Sequence, residues 1–274
     1  MDYCFSVLMS VYIKEKTENF IQCMESILNQ TLLPNEIVLV KDGPISDQLD
    51  SAIDKYKMRC KFPIKIVSLK KNYGLGIALA QGVLHCSYGL IARMDTDDIC
   101  VPWRFERQIQ EFKIDKHLDI VGSHIKEFDG TIQNIISERK VPLDNESIYI
   151  YQRKRSAFNH MTVMYKKETI LKAGNYIHAP FMEDDLMWIH LLQKNAKCKN
   201  IDDYFVYVRT GYAMIERRGG WKYFIKYKKA RQKIYETGFI NKSDYYSTIL
   251  AQFVVAMVPK QLRIIIFSKI LRKI

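Results

Sequence analysis

The 274-residue sequence lacks several features that would assign it to particular classes of protein. It has no run of about 18 uncharged apolar residues, so no transmembrane helix is predicted. The first residues lack a basic segment and a small-residue cleavage site, so no signal peptide is predicted either. The six cysteines form no CxxC pair and show no zinc-ligand spacing, which favours reduced thiols in a cytosolic protein.

Acidic residues are the scarcer charged type. Lys and Arg number 42 against 30 Asp and Glu, which gives a net charge of +12. Such a balance favours polyanionic partners, namely nucleic acid, anionic lipid headgroups or substrates that carry a pyrophosphate. Hydrophobic residues make up 48% of the chain, which is enough for a sizeable core and excludes a disordered protein.

Strand-like and helix-like patterns alternate through the first half of the chain. The strand-like apolar runs lie at residues 4–11, 36–40, 64–69 and 90–94. This alternation predicts an α/β fold with a mostly parallel central sheet flanked by helices. Ligands of such sheets bind beyond the carboxyl ends of the strands. Asp42 follows the second strand, and Asp95, Asp97 and Asp98 follow the fourth.

The second half is less regular. Its patterns predict strands at 119–125, 158–165 and 205–209, a hairpin turn at 129–130 and a helix at 183–193. No linker or repeat divides the chain, but its character becomes basic near residue 216. We therefore predict a catalytic domain at 1–215 and a basic amphipathic C-terminal helical extension at 216–274.

The end of the extension contains no acidic residue from Ile249 to Ile274. Apolar residues between 262 and 271 cluster at helical spacing, with Arg and Lys between them. This pattern is typical of an interfacial helix that lies among anionic lipid headgroups. The alternative interpretation is a terminal helix that packs on the domain or on a partner.

Residues 94–98, with the sequence MDTDD, place three carboxylates within four residues after an apolar strand. A divalent cation such as Mg²⁺ or Mn²⁺ would relieve their repulsion, taking oxygen ligands from one or two carboxylates, phosphate and water. It would also neutralise the charge on a departing diphosphate. A solvated acidic turn or a helix N-terminus is the alternative, because Asp is common there.

Glu183, Asp184 and Asp185 precede an apolar helical segment. These carboxylates either complement the dipole of that helix or include a general base that deprotonates an attacking hydroxyl. Spacing alone does not decide between the two.

Residues 72–76, with the sequence NYGLG, follow the third strand and open a helix. Taken as a dinucleotide-binding fingerprint, the segment has Leu79 where the third glycine belongs, so it is a weak indication of a Rossmann dehydrogenase.

In chain order, these motifs resemble those of the inverting glycosyltransferase family 2, whose members have the nucleotide-diphospho-sugar transferase (GT-A) fold. The resemblance spans about residues 5–215 and is strongest for bacterial members that build O-antigen or capsular repeat units. The matching segments are 6–12, 26–31, 36–43, 72–76, 92–98, 158–164, 182–184 and 217–220.

The resemblance implies donor-binding roles for residues after the strands. Val11 and Tyr12 would line the pocket of the nucleotide base, and Asp42 would accept a hydrogen bond from the uracil ring. Arg93 would orient the donor through a charge-assisted bond, and Asp95 would lie near the ribose and the sugar phosphate.

Further substrate contacts are implied for Asn72, Gly74 and His160, and for Arg217 and Arg218, which would hold a pyrophosphate. A core histidine is the alternative for His160, and solvated surface charge is the alternative for the two arginines.

The resemblance also implies the chemistry. Asp97 would be the principal ligand of Mn²⁺ or Mg²⁺, with Asp95 and Asp98 close by. Asp184 would be the general base and Glu183 would help to place it. Asp185 stands where many relatives have an aromatic residue, which leaves open which carboxylate is the base.

The function that the resemblance implies is that of a hexosyltransferase acting by inverting displacement. It would move a hexose from a UDP-sugar to an undecaprenyl-diphosphate-linked saccharide, in the cytoplasm and peripherally at the inner face of the cell membrane. A nucleic-acid-binding protein is a rival that the net charge permits, but no recognition motif is present and we expect no nucleic-acid partner. A nucleotidyltransferase would need a Gly-rich basic loop after the first strand, where residues 11–16 contain no glycine. A catalytically silent scaffold on a lipid surface is the third rival, and the intact acidic motifs argue against it.

Overall fold

The structure is a computed structural model that describes residues 3–179, 181–210 and 219–258. The first half alternates strands and helices as predicted. Its elements are β1 (Phe5–Val11), α1 (Thr17–Leu28), β2 (Glu36–Lys41), α2 (Asp47–Arg59), β3 (Ile64–Ser68), α3 (Leu75–His85) and β4 (Leu90–Arg93).

The second half continues the same sheet with less regular connections. Its elements are β5 (Ile99–Cys100), α4 (Arg104–Ile114), β6 (Ile120–Phe128), β7 (Ile135–Arg139), α5 (Asn145–Gln152), a 3₁₀ turn (His160–Thr162), β8 (Met164–Lys166), α6 (Lys167–Lys172), α7 (Glu183–Gln193) and β9 (Cys198–Arg209). Two helices follow, α8 (Trp221–Glu236) and α9 (Lys242–Met257).

The nine strands form one sheet in the order β3-β2-β1-β4-β8-β6-β9-β5, with β7 paired to β6. Strands β1 to β4 are mutually parallel, and β6 is parallel to β9. The remaining pairings, which involve β5, β7 and β8, are antiparallel. The predicted α/β class is therefore confirmed, and the parallel part of the sheet is the part that carries Asp42 and the acidic motif at 95–98.

Helices cover both faces of the sheet because the strands are apolar on both sides. Along β1, Val7 and Met9 point into a core formed with α1, α2 and α4, whereas Leu8 points into a second core formed with α3 and α7. All three side chains are fully buried. Continuous burial of this kind is what parallel strands between two helical layers require.

The segment at 158–165 differs from the predicted strand. Only Met164–Lys166 pairs in the sheet, and a 3₁₀ turn precedes it. Two polar side chains explain the turn. The Thr162 hydroxyl donates to the Asn159 carbonyl at 2.8 Å, and the Asn159 amide donates to the Ser123 carbonyl at 2.8 Å. These local bonds compete with the ladder of a strand.

The helices that follow residue 218 pack on the rest of the chain. Ile234 of α8 and Tyr245 of α9 join the core on the α3 side of the sheet. Arg153 at the end of α5 forms an ion pair of 2.5 Å with Asp244, and Arg231 donates to the Arg153 carbonyl at 2.8 Å. The predicted domain boundary near 215 and the predicted interfacial helix at 262–271 lie outside the described residues. Across the ranges that the structure does describe, no helix is long and apolar enough to cross a membrane.

Candidate active site

The acidic motif after β4 forms a compact carboxylate cluster. Oxygen atoms of Asp95, Asp97 and Asp98 lie within 4.8 Å of one another. Asp98 is buried, and its Oδ1 accepts a hydrogen bond of 2.8 Å from the Arg209 backbone amide. Its Oδ2 has no hydrogen-bond partner among the described residues.

The electrostatics of this cluster fit a divalent cation. Burial, followed by the charges of Asp95 and Glu15, raises the pKa of Asp97 to about 7. Burial and the charges of Asp95 and Asp97 raise the pKa of Asp98 well above its ordinary value. A cation would reverse both shifts, and the unpartnered Asp98 oxygen is a hard ligand of the kind that Mg²⁺ and Mn²⁺ take.

Glu15 is a member of this site that the sequence analysis did not identify. It lies in the loop after β1, where its carboxylate accepts a hydrogen bond from the Thr96 hydroxyl. Burial raises the pKa of Glu15, and the charge of Asp95 contributes to the shift. No local signal in the sequence identifies it, because Glu15 reaches the cluster through the pairing of β1 with β4.

Arg93, the last residue of β4, lies beneath the cluster with 1% of its surface exposed. Its Nη1 lies 2.5 Å from an Asp95 carboxylate oxygen. Burial acts to lower the pKa of Arg93, but the Asp95 carboxylate, with further contributions from Tyr176 and Asp98, makes the net shift upward. Its Nε has no hydrogen-bond partner within the described part of the chain. Arg93 is thus a permanently charged group directed at Asp95.

The loop before α3 is shaped by Asp42. Its two carboxylate oxygens accept hydrogen bonds from the backbone amides of Tyr73 at 2.7 Å and Gly74 at 3.0 Å. Gly74 has a backbone φ of +92°, a conformation that glycine adopts without strain. Asp42, Asn72 and Gly74, each predicted to bind substrate, therefore belong to one connected unit.

This loop also touches the second acidic motif. A Cβ atom on Gly76 would lie 2.4 Å from the Ile177 carbonyl oxygen and 3.1 Å from the Glu183 Cβ. Only glycine permits so close an approach, which brings the start of α3 against the start of α7.

The second acidic motif opens α7 as predicted. Burial, followed by the charges of Asp185 and Glu183, raises the pKa of Asp184 to about 7. Asp185 Oδ1 accepts a hydrogen bond of 2.8 Å from the Gln152 amide, so this carboxylate has a structural partner. The charge of Arg93 lowers the pKa of Asp184 as it does that of Asp97. Arg93 therefore acts electrostatically on both acidic motifs.

The other predicted substrate residues are placed as follows. Val11 is buried at the end of β1 and Tyr12 is exposed beside it. His160 is buried, its Nε2 lies 3.0 Å from the Tyr176 hydroxyl, and its ring meets that of Trp188 edge-on. Burial lowers the pKa of His160 well below its ordinary value, so its ring is neutral. Arg217 and Arg218 lie outside the described residues.

A mixed α/β sheet with a carboxylate cluster after β4 and a second acidic motif at the start of α7 is the architecture of the GT-A fold. The fold is similar to that of S. aureus TarS 1–349 in complex with UDP-GlcNAc, with a TM-score of 0.61 and 16% sequence identity over 95% of this chain and 69% of that one.

Residues 6–174 match the model of Glycosyl transferase family 2, and the chain belongs to that family. It is 38% identical to the amylovoran biosynthesis glycosyltransferase AmsE of Erwinia amylovora over 245 residues, 88% of this chain and 91% of that protein. It is 33% identical to the UDP-Gal:alpha-D-GlcNAc-diphosphoundecaprenol beta-1,3-galactosyltransferase of Escherichia coli over 269 residues, 98% and 97% of the two chains. The family resemblance predicted from the motifs is confirmed, and the protein is a glycosyltransferase enzyme.

Proposed function

We propose that this protein is an inverting hexosyltransferase that moves a hexose from a UDP-sugar to a lipid-diphosphate-linked saccharide during synthesis of O-antigen or capsule repeat units. The acceptor carrier would be undecaprenyl diphosphate, as the name of the E. coli relative states for that protein. The observation that carries the proposal is the cluster of Asp95, Asp97 and Asp98, paired with the buried Arg93, together with the acidic motif at the start of α7.

The first acidic motif would hold the metal. Asp95 is already paired with Arg93, so a cation would compensate mainly the charges of Asp97 and Asp98. When bound, Mn²⁺ or Mg²⁺ would neutralise charge on the departing nucleoside diphosphate. In this proposal Arg93 orients Asp95 toward the ribose and the sugar phosphate.

The second acidic motif would supply the base. Asp184 takes the proton of the acceptor hydroxyl as that oxygen attacks the anomeric carbon, and Glu183 positions it. A base with a pKa near the working pH is efficient, because it is ionised and still accepts a proton readily. A single displacement gives a β-linkage from an α-linked donor.

The remaining donor contacts are proposed from their positions at the same sheet edge. Val11 is the last residue of β1 and Tyr12 follows it, where the base pocket would lie. Asp42 retains acceptor capacity beyond the two amide bonds that it makes. Asn72 and Gly74, in the loop that Asp42 holds, would complete the donor contacts. His160 would act through Tyr176, and Arg217 with Arg218 would hold a pyrophosphate.

The experiment is a transfer assay with purified protein, Mn²⁺, a panel of UDP- and GDP-sugars and a synthetic GlcNAc- or GalNAc-diphospho-lipid. Asp97→Ala and Asp184→Ala should abolish metal-dependent transfer from one UDP-sugar, whereas the exposed Asp54→Ala serves as the matched control. NMR should show an inverted anomeric centre in the product. Retained configuration, or two active-site variants as active as the control, would refute the mechanism.

We also propose a domain division at about residue 215, with the extension of residues 216–274 holding the enzyme at the cytoplasmic face of the cell membrane. The support is a stripe of exposed apolar side chains along α9, at spacings of three and four residues. These are Tyr246, Leu250, Phe253, Val254 and Met257. Exposed lysines of the neighbouring α8 supply positive charge for anionic headgroups.

Sedimentation with lipid vesicles tests this attachment. The full chain should bind phosphatidylglycerol vesicles, bind phosphatidylcholine vesicles far less, and lose affinity in Leu250→Glu. The control is Met58→Glu on α2, since Met58 is a more exposed apolar side chain (82%) far from the stripe in sequence. Equal binding to both lipids, or equal loss in both variants, would exclude the proposed surface.

A further inference from the structure

Phe181 has a backbone conformation that phenylalanine does not favour. Three non-glycine residues in the described part of the chain have a positive φ, and the other two are asparagines, which tolerate it. Phe181 has a φ of +92°, which for a bulky side chain costs conformational free energy. Burial does not offset this cost fully, because 38% of the side chain remains exposed.

The Phe181 ring meets an aromatic ring from the C-terminal extension. Its centroid lies 5.0 Å from that of Tyr223 in α8, and the two planes form an angle of 77°. Edge-to-face contact is a favourable geometry for two aromatic rings. Both side chains remain accessible to solvent, so the pair forms an open aromatic surface rather than a part of the core.

This surface lies beside the proposed base. Phe181 lies two residues before Glu183, the first residue of α7, and Asp184 is the next residue. Three residues span at most about 10 Å, so the Phe181 backbone lies within the length of a disaccharide from Asp184. An acceptor hydroxyl in hydrogen-bond reach of Asp184 therefore brings the rest of its saccharide close to this pair.

We infer that Phe181 and Tyr223 form a binding platform for the acceptor saccharide. The apolar C–H face of a sugar ring lies against the aromatic surface, while the hydroxyl groups stay hydrated or reach polar side chains. Exposed Lys222 and Lys226 flank Tyr223 on α8 and complement the diphosphate of a lipid-linked acceptor. The extension thereby takes part in acceptor binding. This inference rests on the proposed function and names the acceptor side of that same site.

Substitution of Phe181 by glycine removes the aromatic ring and places at residue 181 an amino acid that favours the positive φ found there. Glycine adopts a φ of +92° without strain, so Phe181→Gly should melt at or above the temperature of the wild type while losing the platform. We expect the KM for a short-chain GlcNAc-diphospho-lipid to rise about tenfold or more, with the KM for the donor unchanged. Tyr223→Ala should act in the same direction, and Tyr223→Phe, which keeps the ring, should behave as wild type.

The matched control is Tyr149→Ala. Tyr149 is also an exposed aromatic residue, and it also pairs with a residue of the extension, Phe239, at a centroid distance of 4.9 Å. It should leave the acceptor KM unchanged. If wild type transfers to the lipid and Phe181→Gly and Tyr223→Ala keep the acceptor KM within about twofold, the platform is wrong and the proposed function stands. A loss confined to kcat would also overturn it, whereas a wild type inactive on every lipid-linked acceptor would overturn the proposed function itself.

Discussion

The pKa of Asp184 predicts how transfer depends on pH. Burial and the charges of Asp185 and Glu183 raise this pKa to about 7. A general base acts only when it is deprotonated, so kcat should rise with pH, reaching half of its plateau near pH 7. One unit lower, only about a tenth of the molecules carry an ionised base, and the rate should fall to about a tenth of the plateau.

Neutralisation of Asp185 tests the cause of the shift. Asp185→Asn removes the second largest contribution to the raised pKa of Asp184, and the amide oxygen of asparagine can still accept the Gln152 hydrogen bond. Loss of this repulsion should lower the pKa of Asp184 by roughly half a unit to one unit. The acidic limb of the pH profile should move down by the same amount, with the plateau unchanged.

The assay follows UDP release at saturating donor and acceptor from about pH 5.5 to about pH 9. Asp97 also has a pKa raised to about 7, and protons compete there with the metal, so the profile is measured at two saturating Mn²⁺ concentrations. A limb set by Asp184 does not move with Mn²⁺. An acidic limb that follows the Mn²⁺ concentration, or one that is unmoved in Asp185→Asn, would refute the assignment of Asp184 as the base.

Three further predictions concern stability and metal binding. The raised pKa of Asp184 in the folded state means that the native state loses stability as pH rises from about 4 toward 7. Asp184→Asn should therefore melt about 2–4 °C higher than wild type at pH 8 and show little difference near pH 4. The difference in melting temperature stays this small because the Asp184 side chain keeps partial exposure to solvent. Gly76→Ala should lose about 1–3 kcal/mol of unfolding free energy in urea because its Cβ would strike the Ile177 carbonyl, whereas Gly89→Ala, with nothing within 4 Å, should not. Asp98→Asn should weaken Mn²⁺ binding about tenfold or more by calorimetry; unchanged affinity would remove Asp98 from the metal site.

Some of the site could be predicted from the sequence because it depends on local pattern. The continuous apolar run at β1 requires burial on both faces, and such strands occur in parallel sheets between helices. The helix predicted at 183–193 has those bounds, since acidic residues at its start and apolar residues along it both follow from the helical period. Acidic residues at the carboxyl ends of parallel strands lie at one edge of the sheet, because parallel strands end on the same side.

Other features were decided only by the tertiary structure, because they join residues that are distant in the chain. The local pattern at 158–165 is that of a strand, but a hydrogen bond from Asn159 to the Ser123 carbonyl helps to hold a turn there. Glu15 enters the acidic site through the pairing of β1 with β4, which no local pattern contains. The Phe181–Tyr223 contact depends on how the extension packs. Sequence by itself determined the alternating strands and helices of the first half and the chemistry at the ends of those strands. The partners of each buried charge and ring depend on long-range packing. That packing sets the burial and the neighbouring charges that shift each pKa, and it decides which surfaces stay exposed.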